Sequence, residues 1–245
     1  VCCGSLDDAL EAQAGGADRI EFCSDLFDGG LTPSIGSLIE ASRRLSIPFV
    51  AMVRPRGGGF CYTEAEFAVM IADAEQALAH GASGIVFGIL KSDGTVDVER
   101  SRQLVKLAGA KQTVFHRAID VTPDPYAALE QIIDMGVTRV LTSGQEDTVP
   151  EGLTMIRSLR ERAAGRIEVM PGGGIKPNNL VWVAEQTGCD WIHIAAFKEA
   201  ADPSCRARPH VTFGGALYPP EDRYPITDRV AIERAVAMAR QGPAC

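Results

Sequence analysis

The chain is short of positive charge: 24 lysines and arginines stand against 32 aspartates and glutamates, for a net charge of -8 over 245 residues. That balance excludes nucleic acid and membrane surfaces as partners, because both require a basic face. There is no apolar run long enough to cross a membrane, and no charged segment followed by an apolar one that would read as a secretory leader. A cytoplasmic location is expected. The seven cysteines, at positions 2, 3, 23, 61, 189, 205 and 245, are odd in number and mostly lie in apolar, strand-like contexts. A secreted disulfide framework is therefore excluded, and reduced thiols are expected. The P-loop lysine, the dinucleotide fingerprint and the His-x-His, CxxC and HExxH spacings are all missing. Nucleotide or organic cofactors and hydrolytic zinc thus have no support. The chain opens inside an apolar strand, so its native start is expected a residue or two earlier.

What is present is a recurring signature. Gly16-Ala17-Asp18-Arg19-Ile20, Gly81-Ala82-Ser83-Gly84-Ile85, Gly136-Val137-Thr138-Arg139-Val140 and Gly188-Cys189-Asp190-Trp191-Ile192 each read as a helix ending on glycine and feeding a strand. The glycines are separated by 65, 55 and 52 residues, about two strand-helix units each time. Strands of a second type lie between them, from Pro48 to Val53, Gln112 to Arg117 and Arg166 to Met170. With Val1 to Cys3 in front, the count is eight.

Helical patterns follow at roughly 5–15, 34–46, 63–80, 97–110, 124–135, 150–164, 177–187 and 228–240. Strict alternation to eight predicts a single-domain (β/α)8 TIM barrel over residues 1–245. A doubly wound sheet is the alternative, but residues 3–6 lack the glycine fingerprint it would carry. A long irregular segment, about 198–227, is expected after strand 8 as a lid; it holds Arg206, Arg208, His210, Gly214 and Gly215.

Alternation along barrel strands assigns faces. Glu21 and Cys23, Met52 and Arg54, Val114 and His116, Glu168 and Met170, and Trp191, His193 and Ala195 are expected inward. Ionisable groups inside a barrel must compensate one another. Arg54 is accordingly expected to pair with Glu21 or Glu168, and His116, Glu21 and His193 form a candidate acid–base set, with His116 tuned near neutrality by a carboxylate.

The run Arg54-Pro55-Arg56-Gly57-Gly58-Gly59 places two guanidiniums before three glycines, a pattern suited to a carboxylate or phosphate. Gly172, Gly173 and Gly174 after the seventh strand add backbone donors for the same anion. Cys2 and Cys23 lie on neighbouring strands, about 4.7–4.9 Å apart. In matching register they face each other, as a Cu(I) pair, a disulfide or two small core residues. Met52 and Met170 are candidate thioether contacts.

Taken together, these motifs resemble the CutC copper-homeostasis proteins. The resemblance rests on Gly15 to Cys23, Gly29 to Ser34, Arg54 to Gly58, Gly88, Phe115 to Ala118, Asp124-Pro125, Leu141 to Gly144 and Met170 to Ile175, with a weaker match at Ile226 to Asp228. It implies a TIM barrel, a cytoplasmic homodimer and Cu(I), with Cys2 and Cys23 at the copper-associated positions. The chain departs from the family pattern at Gly4, Asp25, Gly59, Glu168 and 194–197.

Three functions follow as expectations. The first is a Cu(I)-binding barrel, with Cys2 and Cys23 as thiolates. The second is a metal-independent enzyme acting on a small phosphorylated or carboxylate substrate. The third is an interaction scaffold.

Overall fold

A computed structural model describes residues 1–213 and 221–241. Seven short strands, β1 (Cys2–Cys3), β2 (Ile20–Phe22), β3 (Phe49–Met52), β4 (Gly84–Phe87), β5 (Gln112–Phe115), β6 (Arg139–Thr142) and β7 (Glu168–Pro171), pair in parallel and in chain order. Seven helices fill the crossovers and the connection after β7: α1 (Leu6–Ala14), α2 (Ile35–Arg44), α3 (Glu64–Ala79), α4 (Val98–Ala108), α5 (Pro125–Asp134), α6 (Val149–Ala163) and α7 (Leu180–Thr187). The last helix, α8, is Arg229–Gln241. All eight helical segments expected from periodicity form.

Local chemistry explains where the helices start and stop. Ser5, Ser34, Thr63, Asp97 and Asp124 each accept a hydrogen bond from the first turn of the helix they precede, and Thr63 and Glu66 form a reciprocal capping box. The four recurring glycines, Gly16, Gly81, Gly136 and Gly188, all sit at positive φ, between 67° and 96°. Only glycine enters that region without strain, so the helix ends there and the chain turns into the next strand.

The sheet separates two apolar layers. One side, carrying Cys3, Ile20, Phe22, Ala51, Ile85, Phe87 and Phe115, packs on the helices. The other collects Cys23, Val50, Met52, Val86, Val114, Leu141 and Met170, with Cys2 and Leu26 beside them. The period of two thus places the cysteines and methionines as expected, because alternate side chains in curled parallel strands leave the sheet on opposite faces.

The eighth strand expected at 191–195 does not form as a ladder. His193 makes one parallel bridge to Gly172, its N–H reaching the Pro171 carbonyl at 2.9 Å, and Ile194 accepts from Cys2 N–H at 2.9 Å. These contacts touch β7 on one side and β1 on the other, but their run is too short to count as a strand.

The expected lid is also different. Its ends form an antiparallel pair, β8 (Phe197–Ala201) with β9 (Arg223–Thr227), in register from Phe197 opposite Thr227 to Ala201 opposite Arg223. The base of this pair is pinned to α1, because Asp8 accepts from Thr227 N–H at 2.6 Å and from Gly4 N–H at 3.1 Å. Arg206, Arg208 and His210 are exposed; Gly214, Gly215 and Cys245 lie outside the described residues.

Candidate functional site

The register of the first two strands builds the centre of the site. Cys2 stands opposite Glu21 and Cys3 opposite Phe22, so Cys2 and Glu21 share the inner face while Cys3 and Phe22 are buried against the helices. Cys23, one residue past β2, is held by its N–H on the Cys3 carbonyl at 2.8 Å and returns to the face of Glu21. One donor atom from each of Cys2, Glu21 and Cys23 lies within 4.8 Å of the others. Both cysteines are free thiols, so the disulfide alternative is not formed.

His193 completes the group from the far end of the fold. Its Nε2 lies 3.2 Å from Glu21 Oε1, and the Cys23 thiol approaches the same oxygen at 3.9 Å. Burial opposes charge on both partners of the ion pair. The imidazolium of His193 is nevertheless favoured by Glu21 and by Cys2, which raise its pKa to about 9. Burial likewise pushes the Glu21 carboxyl up, but the charge and hydrogen bond of His193 outweigh it and leave the carboxyl below its ordinary value.

The two thiols are pushed apart. A hydrogen bond from Cys23, helped against burial by His193, lowers Cys2 to about 7, whereas the same contact together with burial drives Cys23 well above the ordinary thiol range. Near neutral pH Cys2 is therefore partly ionised while Cys23 stays a thiol.

His116 does not join that group as expected. It caps a 3-10 turn at Arg117–Val121 with Nδ1 accepting from Ala118 N–H at 3.2 Å, so the neutral ring carries its proton on Nε2. Burial first, and the Arg54 charge second, lower its pKa to about 4 despite Glu21. The carboxylate therefore does not tune it near neutrality. Its Nε2 is buried without a hydrogen-bond partner among the described residues.

The arginines are braces. The Arg54 guanidinium, 6 % exposed, donates to the carbonyls of Asp28 (2.6 Å), Gly30 (3.1 Å) and Gly58 (2.8 Å). Arg56 is taken by Glu66, with Nε 2.5 Å from Oε1, and by the carbonyls of Gly57, Gly59 and Cys61. The pairing expected between Arg54 and Glu21 or Glu168 is absent, since β6 and β7 place Arg139 opposite Glu168 and the two form an ion pair at the N-terminal ends of their strands. Loop carbonyls thus take the terminal nitrogens of Arg54, while its buried Nε has no hydrogen-bond partner among the described residues.

The glycines after β7 are occupied in part. Gly172 N–H donates to the Thr142 carbonyl, Gly173 accepts from Val149 N–H, and Gly174 accepts from the Asn179 side chain. Close to Gly173 lies Arg117, held by Asp120 at 2.9 Å and by the Ser143 hydroxyl. Asp120 also accepts from the N–H groups of Ser143 (2.9 Å) and Gln145 (3.2 Å). Sequence reasoning missed this network, although Leu141-Thr142-Ser143-Gly144 marked one side of it. It also missed Arg19, Arg139 and their contacts with Trp191.

Comparison with known proteins follows the same lines. Residues 1–198 match the model of the CutC family. A CutC family protein of Treponema denticola is 50 % identical over 222 residues, covering 91 % of this chain and 90 % of that one. The human copper homeostasis protein cutC homolog is 42 % identical over 241 residues, 98 % of this chain and 88 % of its own length. The crystal structure of a CutC copper homeostasis protein from Streptococcus agalactiae superposes with a TM-score of 0.75 at 34 % identity, over 78 % of this chain and 95 % of that one. With its sequence matched by the family model across four fifths of its length, the chain belongs to the CutC family.

Proposed function

We propose that this chain handles Cu(I) as cargo, held by the thiolates of Cys2 and Cys23 inside a (β/α)8 barrel in which 192–194 serve as the eighth staves. Support comes foremost from the convergence of the two sulfurs and Glu21 within 4.8 Å. The donor set suits the ion: two soft sulfurs select Cu(I), and one of them titrates at about 7, so little work is needed to deprotonate it. Glu21 is a hard donor engaged by His193, and it balances charge beside the pair. The same reading takes the chain as one cytoplasmic domain that forms a homodimer.

Anaerobic Cu(I) titration against a competing chelator tests the proposal on wild type, Cys2→Ser and Cys23→Ser. Each variant should lose most of the affinity; equal affinity in all three would overturn it.

A second reading, metal-independent proton transfer on a small phosphorylated or carboxylate substrate, draws on the His193 and Glu21 pair, an acid of pKa about 9. In that reading His116 is neutral and donates a hydrogen bond from Nε2, and the anion is held without Arg54 and Arg56. Mass spectrometry of ligands released from native protein separates the two, copper supporting the first and an organic anion the second.

A further inference from the structure

Two thiols that meet inside a fold can serve in two ways, as ligands of a soft ion or as a dithiol that cycles through a disulfide. The backbone of β1 and β2 separates these roles. Cys2 stands opposite Glu21 and Cys3 opposite Phe22, and the Cys23 N–H on the Cys3 carbonyl carries the parallel ladder one step further. The residue facing Cys23 across the ladder is therefore Gly4, and Cys2 lies two residues behind it on the same face.

That offset sets a distance. Neighbouring strands lie about 4.8 Å apart and two residues along a strand rise about 6.6 Å, which puts the Cα atoms of Cys2 and Cys23 about 8 Å apart on the diagonal. A disulfide needs Cα atoms within about 6.8 Å and joins its sulfurs at about 2.05 Å. A metal ion asks for less, because it stands between the sulfurs at about 2.3 Å from each, the length of a zinc–thiolate bond, and spans the gap itself. The donor atoms of Cys2, Glu21 and Cys23 already lie within 4.8 Å of one another.

Neither strand is free to slide. Cys2 N–H is held by the Ile194 carbonyl at 2.9 Å and Cys23 N–H by the Cys3 carbonyl at 2.8 Å. Along its other edge β2 is paired with β3, from Ile20 opposite Phe49 to Phe22 opposite Ala51. Bringing Cys2 level with Cys23 would take a shift of two residues, which breaks the β1–β2 ladder and its buried register.

We propose that strand register keeps Cys2 and Cys23 from closing a disulfide in the folded protein, so that the pair serves as a metal-binding dithiol and not as a thiol–disulfide redox centre. The exclusion of the disulfide rests on the backbone; the metal-binding role rests on the Cu(I) reading above.

Glutathione disulfide is the oxidant that tests the exclusion: two protein thiols and one glutathione disulfide would give one protein disulfide and two glutathione thiols. Protein with Cys61, Cys205 and Cys245 replaced by serine is equilibrated without metal in one fixed glutathione mixture, in buffer and in urea. After acid quenching and alkylation, mass spectrometry reads the ratio of Cys2–Cys23 disulfide to dithiol. The ratio should be at least about tenfold lower in the folded protein than in urea, because a disulfide this far outside its range is strained. Protein cross-linked in urea and returned to buffer in the same mixture should revert to the dithiol. An equal or higher ratio in the folded protein, from either starting state, would overturn the proposal. With no copper present, that result leaves the Cu(I) titration untouched, and a failed Cu(I) titration leaves the exclusion of the disulfide standing.

Discussion

His193 and Glu21, 172 residues apart in the chain, meet at 3.2 Å between Nε2 and Oε1. The contact joins the segment after the last crossover to the second strand, and it sets the charge around both inner cysteines. Because Glu21 keeps His193 protonated, an imidazolium stands beside Cys2 at neutral pH. The reactivity of one thiol therefore depends on a carboxylate it need not touch.

Alkylation of Cys2 by iodoacetamide, followed by peptide mass spectrometry, should rise with pH through about 7. Removing the main cause, with Cys23→Ala, should move that midpoint up, and His193→Gln should move it up by less. An unchanged profile in both variants would mean that neither group sets the thiol.

The two inner histidines should bend the stability profile in opposite directions. His116 has its pKa depressed from 6.5 to about 4, so the unfolded chain takes up the proton first. Its contribution is complete above 6.5 and is lost as pH falls toward 4, roughly 3 kcal/mol at the limit. His193 is raised from 6.5 to about 9, so its contribution is complete below 6.5 and is lost as pH rises through 9. Urea unfolding across this range should show a shallower acid limb in His116→Asn and a shallower alkaline limb in His193→Gln.

Gly88 is where His116 needs room. A Cβ there would stand 2.4 Å from the ring Cε1, 2.5 Å from Nδ1 and 2.8 Å from the Ala118 methyl, none of which can easily withdraw. Gly88→Ala should cost about 3 kcal/mol through overpacking. In the double variant with His116→Ala the combined loss should fall short of the sum, a coupling that thermal or urea melts can measure.

Arg54→Lys should separate a brace from a ligand clamp. An ammonium cannot reach the three carbonyls that the guanidinium holds, so about 2 kcal/mol of stability should be lost and the 25–31 loop should be cut faster by protease. Millimolar orthophosphate should leave the melting temperature of wild type unchanged. Stabilisation by phosphate in wild type and not in the variant would restore the clamp.

Periodicity and end signals, read along the chain, determined the alternation of strands and helices, the eight helical segments, the glycine turns and the inward faces of Cys2, Cys23, Met52 and Met170. All of these are local properties: they follow from backbone geometry and from side chains within a turn of each other. Partnership was decided only by the fold. Arg54 reads the same in sequence whether it meets Glu21, an anion or three loop carbonyls, and the path of the 25–31 loop chose the carbonyls. Glu168 went to Arg139 because β6 and β7 pair in that register. His116 and His193, both on inward faces, received opposite shifts because one was buried near an arginine and the other against a carboxylate. Charge in a low-dielectric interior responds to whichever group comes within a few ångströms, and that distance is fixed by tertiary structure alone.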